Sequence, residues 1–107
     1  MLSISKSAVI YLYDHPVDLR KGCEGLASIA SSLVKEIPSE AYFIFLNRKR
    51  NRIKILYCSL NNLSYWFIRS RKGVFAPKAR LSSAITQADL IMILQGKFPS
   101  HLHLKKC

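Results

Sequence analysis

Acids are the scarce charge in this 107-residue chain: six Asp and Glu stand against 17 Lys and Arg, a formal net charge of +11. Between Glu40 and Asp89 there is no acid at all, yet that stretch holds ten cations, Arg48, Lys49, Arg50, Arg52, Lys54, Arg69, Arg71, Lys72, Lys78 and Arg80. A solvated face normally mixes signs because like charges repel, so an uncompensated set of this size points to a polyanionic partner. Nucleic acid comes first and an anionic membrane surface second. The same scarcity argues against metal-dependent nuclease or strand-transfer chemistry, which needs grouped carboxylates to hold its ions. Only Asp14, Asp18 and Glu24 are placed to approach one another, and Asp18 has a structural task as a helix cap.

Other absences narrow the class further. Four Gly and four Pro in a chain that is 50% apolar make a globular composition, and 107 residues make one domain with one modest core. No apolar run approaches the ~18 residues of a membrane helix. Ala8–Tyr13 is too short, and Lys6 too early, for a secretory signal, so a cytoplasmic location is expected. Cys23, Cys58 and Cys107 are odd in number and form no C-x-x-C, which reads as reduced thiols. His101 and His103 with Cys107 read as solvated tail rather than a metal site. No G-x-S-x-G, P-loop or Cys/His pair is present. No cofactor and no metal is expected, and the chain reads as a non-enzyme.

What is present reads as alternating elements. Ala8–Tyr13 is β-branched and aromatic, as in a strand, and His15-Pro16 ends it. A helix from about Leu19 to Glu36, capped by Asp18, carries its apolar stripe on Leu26, Ile29, Ala30, Leu33, Val34 and Ile37. Three strands follow: Tyr42–Leu46 is continuously apolar, Arg52–Tyr57 begins with alternation, and Leu63–Ser70 holds Tyr65, Trp66 and Phe67. Short connections favour antiparallel hairpins. After the Arg71-Lys72-Gly73 turn a short Val74-Phe75 strand is expected. A last helix starts at the capping box Thr86–Asp89, with Ile85 and Leu90 as a staple and Gly96 as its stop. The expected fold is α+β: an antiparallel β-meander of about four to five strands with two helices packed on one face. The compact core spans about residues 8–96 of a single domain, and 97–107 form a loose basic tail.

Successive turns of a meander alternate between the ends of the sheet. The Asn47–Asn51 turn and the Arg71–Gly73 turn therefore share an end, which gathers Arg48, Lys49, Arg50, Arg71 and Lys72. Arg52, Lys54 and Arg69 extend the patch if they share a face. Clustered guanidinium forks bind phosphate with an affinity that falls steeply with salt. Tyr65, Trp66 and Phe67 beside the charge could stack on unpaired bases, although filling the core explains most of them better. Gly22 and Gly25, following Arg20 and Lys21, fit an anion site at a helix start or a close helix–sheet approach equally well.

The segment Pro16-Val-Asp-Leu-Arg-Lys-Gly-Cys-Glu-Gly-Leu-Ala27 resembles PVDMRKGFDGLA, a signature of the TnpB-type accessory proteins of IS-sixty-six bacterial insertion sequences. Phe45–Tyr57 is similar to the basic FxxRRRDRIKxLxW segment of that family, Gly73–Pro77 to its GRFxWP, and Ile85–Gly96 to its closing ITxxQLxxLLEG helix. Ala76 stands where the family has tryptophan, and Ser59–Asn62 replaces an acidic-glycine turn. The resemblance implies a non-catalytic helper in transposition that works with a separate, larger transposase. It marks Pro16, Asp18, Arg20, Lys21, Gly22 and Gly25 as motif residues. DNA, in the form of insertion-sequence ends, is the partner the charge adds, and no membrane partner is expected. Two other classes are a protein adaptor that docks on the transposase without DNA contact and a small RNA-cleaving toxin. The toxin is disfavoured because His15 is the only histidine outside the tail.

Overall fold

The computed structural model describes residues 8–13, 15–71, 73, 75, 83–86, 88, 90 and 105–106. Six strands and one helix run in the order β1 (Val9–Leu12), α1 (Cys23–Leu33), β2 (Glu40–Leu46), β3 (Arg52–Ser59), β4 (Leu63–Arg69), β5 (Ser83–Ile85) and β6 (Lys105–Lys106). They form one sheet with the spatial order β5-β1-β2-β3-β4-β6.

The expected antiparallel meander with two helices on one face is not what forms. β2, β3 and β4 do pair antiparallel, with Ile44 opposite Ile55 and Ile55 opposite Trp66. But β1 pairs parallel to β2, with Val9 opposite Ala41 and Leu12 opposite Ile44, so the sheet is mixed. Residues 13–39 carry the chain back across the sheet through α1, a connection long enough for a parallel crossover. β5 then adds antiparallel to the outer side of β1, where no strand was expected. At the far edge, Lys105 and Lys106 pair with Tyr65 and Ser64, so these two residues of the tail are held.

Both faces of the sheet are covered, because Ala41–Leu46 of β2 are all buried. Their alternation feeds two cores. On one side α1 lays Leu26 and Ala30 over Ala41, Phe43, Phe45, Leu56 and Cys58. On the other side Tyr42, Ile44, Leu46, Ile53, Ile55 and Trp66 pack with Phe75 and Leu90. Leu90, expected in a second helix beside α1, therefore lies on the opposite face. The rest of the expected Thr86–Gly96 helix falls almost wholly outside the described residues; Leu90 N–H donates to the Thr86 carbonyl at 3.1 Å, one helical step. Val74 also lies outside them, and Phe75 is a buried anchor rather than a strand residue.

The helix is shorter than its periodicity suggests. It begins after Gly22, which caps it without a side-chain hydrogen bond, and ends before Val34, whose φ of −134° and ψ of 147° are extended. The apolar period continues through Ile37, but Ile37 is 36% exposed. Ser31 and Ser32 bond back to the carbonyls of Ala27 and Ile29 at 3.0 and 2.6 Å, which weakens the last turn.

Leu90 is fully buried in the far layer, so Leu90→Ala costs about 2–5 kcal/mol of unfolding free energy. Ile37→Ala costs far less, despite equal helical periodicity. Urea titration of the two variants distinguishes a two-sided sheet from a one-sided one.

Candidate functional site

The residues Asn47 to Asn51 join β2 to β3, and the two asparagines shape the loop. Asn47 Oδ1 accepts the backbone N–H groups of Asn51 and Arg52, both at 3.0 Å, and its Nδ2 donates to Asn51 Oδ1 at 2.7 Å. Arg50 N–H donates to the Asn47 carbonyl at 3.0 Å. With these backbone groups satisfied from within, Arg48, Lys49 and Arg50 are left exposed. Arg50 sits at φ 57°, a left-handed conformation that costs an ordinary side chain about 1 kcal/mol and that glycine or asparagine would fill more easily.

The following turn joins this loop through the backbone. Ser70 N–H donates to the Asn51 carbonyl at 2.8 Å, and Phe75 N–H donates to the Arg50 carbonyl at 2.7 Å. Phe75 is buried, so the 70–75 segment is anchored against the hairpin, and Arg71 stands exposed in it. Gly73, at φ 82°, supplies the reversal. The two turns thus share one end of the sheet, as the meander argument anticipates for β2–β4. Lys72 lies outside the described residues, as do Lys78 and Arg80.

The strand register settles which face the remaining cations use. Arg52 is opposite Arg69, Lys54 opposite Phe67, and Leu56 opposite Tyr65. Leu56 belongs to the core under α1, so by alternation Arg52, Lys54 and Arg69 all lie on the α1 side. The Arg52 carbonyl accepts from Asn47 N–H on the β2 side, which makes Arg52 and Arg69 a non-hydrogen-bonded pair. Such pairs have the closest cross-strand spacing, with Cα atoms about 4.5 Å apart, and like charges there repel. Among the described residues no carboxylate pairs with either arginine. Lys54 is engaged: its Nζ lies 3.4 Å from the Lys21 carbonyl oxygen and 4.7 Å from the centre of the Tyr65 ring.

The segment Pro16–Arg20 docks at this same end. Val17 N–H donates to the Leu46 carbonyl at 2.9 Å, Val17 and Leu19 are buried, and Pro16, Asp18 and Arg20 face outward. Asp18 is not the helix cap expected of it. Its carboxylate accepts the Arg20 backbone N–H at 3.0 Å and grips the Arg20 guanidinium through Nε at 3.0 Å and Nη2 at 2.8 Å. These hydrogen bonds hold the Asp18 carboxyl at a pKa of about 2, below the ordinary 3.8. Pro16–Arg20, Asn47–Lys49, Asn51 and Arg52 enclose an open cleft of about 440 Å³. It unites the motif segment with the basic turn, which sequence reasoning treated as separate.

Lys21 is exposed and its N–H closes a turn onto the Asp18 carbonyl at 3.0 Å. A Cβ at Gly22 would meet nothing within 4 Å, and the nearest atoms to one at Gly25 belong to the Lys21 side chain, from 3.4 Å. Neither glycine is therefore required by a close helix–sheet approach. Of the aromatic triplet, Trp66 lies in the far core, whereas Tyr65 and Phe67 are half-buried on the α1 side. Cys58 keeps a free, buried thiol whose pKa burial raises; Cys23 is disulfide-bonded, which departs from the reduced state expected for all three cysteines. Among the described residues no group of three His, Cys, Asp or Glu side chains could hold a metal, and His101, His103 and Cys107 lie outside them. No helix among them is long and apolar enough to cross a membrane. Sequence reasoning missed Asn47, Asn51 and Phe75; the asparagines flanking a basic tripeptide were the available signal.

The class this defines is a small mixed-sheet domain that collects its cations at one end, next to the crossover loop. The chain belongs to the family described as IS66 Orf2 like protein, whose model matches residues 8–103, and so is a TnpB-type accessory protein of IS66 transposition. No curated protein and no solved structure matches it.

Two outcomes follow from this geometry. Asn47→Ala removes the acceptor of the part-buried Asn51 N–H and of the exposed Arg52 N–H and costs about 1 kcal/mol, read by thermal or urea unfolding. The Asp18 carboxyl, with its pKa depressed by folding, adds stability that is fully present above pH 3.8 and is lost as pH falls through about 2. Solvent screening of this exposed surface pair keeps the effect small. Carboxyl NMR titration should place Asp18 near 2, and Arg20→Ala should return it toward 3.8.

Proposed function

We propose that the chain is a non-catalytic, DNA-binding helper of transposition that acts in the bacterial cytoplasm alongside the transposase of its element. The observation that supports this best is the backbone stitching of two basic turns into one end of the sheet. There Arg48, Lys49, Arg50 and Arg71 stand exposed, with Arg52 and Arg69 directly adjoining. Guanidinium forks presented from a rigid turn suit phosphate oxygens, and rigidity reduces the ordering cost of binding. The left-handed Arg50 is consistent with this: a conformation that stability alone would give to glycine is kept for a cation.

Binding of DNA should weaken with salt, with log K falling by about 4–5 per decade if five of these cations each neutralise one phosphate. Arg50→Ser and Arg71→Ser should each flatten that slope by about one. Lys106→Ser should change it much less, because Lys106 pairs at Ser64, five residues along β4 from Arg69 and so about 17 Å away. Equal losses from the turns and from Lys106 would mean that net charge alone attracts DNA. Absence of binding at about 50 mM salt would remove the DNA reading and leave the adaptor.

A further inference from the structure

Strand β4 places three consecutive aromatics on two different sides. Trp66, opposite Ile55, is 9% exposed and stacks on Tyr42 with ring centres 5.9 Å apart. Tyr65 and Phe67 face the α1 side, and the core there uses them only in part. Tyr65 has Lys54 over its ring. Phe67 is directly opposite that lysine on the neighbouring strand, and the Arg52–Arg69 pair lies one step further along the same face. Arg69 follows Phe67 by two residues, which puts the two about 7 Å apart along the strand.

We propose that this strip, Phe67 beside the Arg52–Arg69 pair, seats an unpaired base of a single-stranded nucleic-acid segment. The base lies on the Phe67 ring, and the adjacent phosphates sit on the two arginines. The proposal rests on the DNA reading above and narrows it to a substrate with a single-stranded stretch beside the phosphate-binding end.

Three features favour this occupant. A paired base has both faces covered by its neighbours in the stack, so a ring on a sheet face offers a duplex nothing. For an unpaired base the same ring replaces lost stacking. Arg52 and Arg69 repel each other at the closest cross-strand spacing, and among the described residues no acid relieves them. A phosphate between them turns that repulsion into charge-assisted hydrogen bonds. Finally, an acidic peptide would satisfy the arginines but would leave the ring unused.

The test compares a labelled mixed-sequence strand of about 20 nucleotides, spanning one or two such sites, with the duplex of the same sequence. The wild-type chain should bind the single strand more tightly. Phe67→Leu keeps the apolar volume and removes the aromatic face; it should weaken single-strand binding about tenfold and leave duplex binding unchanged. Phe67→Tyr should bind like wild type. A strand carrying 5-bromodeoxyuridine should photo-crosslink to Phe67 or Tyr65 in the unmutated chain, which keeps the test independent of how the variants fold. Wild-type single-strand affinity in Phe67→Leu, equal losses for strand and duplex, crosslinks confined to the Asn47–Asn51 turn, or competition by polyglutamate matching that of DNA would each overturn the proposal. Failure of the wild-type chain to bind either nucleic acid would instead overturn the DNA reading beneath it.

Discussion

Every other element rests on the burial of β2 from both sides. Phe43, Ile44 and Phe45 have no exposed surface, and Tyr42 and Leu46 have almost none. Two consecutive apolar residues on a strand must face opposite ways, so a strand of six buried residues needs two separate covers. α1 is one cover, and the layer containing Phe75 and Leu90 is the other. A strand buried on both faces belongs in the middle of its sheet, and β2 lies between β1 and β3. The crossover, the hairpin and the location of the charged loops all follow from that position.

The central placement also explains how unlike segments come to share one end. β1 and β2 run parallel, so the loop after β1 and the hairpin after β2 emerge on the same side. Val17 bonds to Leu46 at the mouth of that hairpin, bringing the Asp18–Arg20 pair to the cleft beside Arg48 and Lys49. An all-antiparallel arrangement would have sent the two loops to opposite ends. Openings at the carboxyl ends of adjacent parallel strands are common binding positions in mixed and parallel sheets, since the crossover leaves room there.

Much of this was legible in the residues. The three central strands and the convergence of their turns follow from alternation and short loops, whereas the common face of Arg69 with Arg52 and Lys54 needed the strand register, which the sequence left open. The continuous apolar run Tyr42–Leu46 already said that β2 is covered twice, which is incompatible with a meander whose helices all lie on one face. Parallel pairing of β1 was not legible, because apolar strands look alike whichever direction their partner runs. The helix boundaries failed for a local reason: the Asp18 carboxylate had a stronger partner in Arg20, two residues on, than any helix N–H. β5 lay hidden because its three residues precede a capping box that dominated their reading. Within the site, the motif and the basic segment were each visible, but the cleft joining them depends on a contact between residues far apart in sequence.

The lone tryptophan of the chain is stacked on Tyr42 in the layer away from α1, and Tyr57 lies 4.9 Å beyond Tyr42. These rings are coupled optically to one another across the far side of the sheet, while the cationic end contains no indole. Selectively excited tryptophan emission is therefore a gauge of whether that inner layer is assembled, with its indole turned away from the face that carries Tyr65 and Phe67. Folding and ligand capture can be followed as separate signals in the same sample.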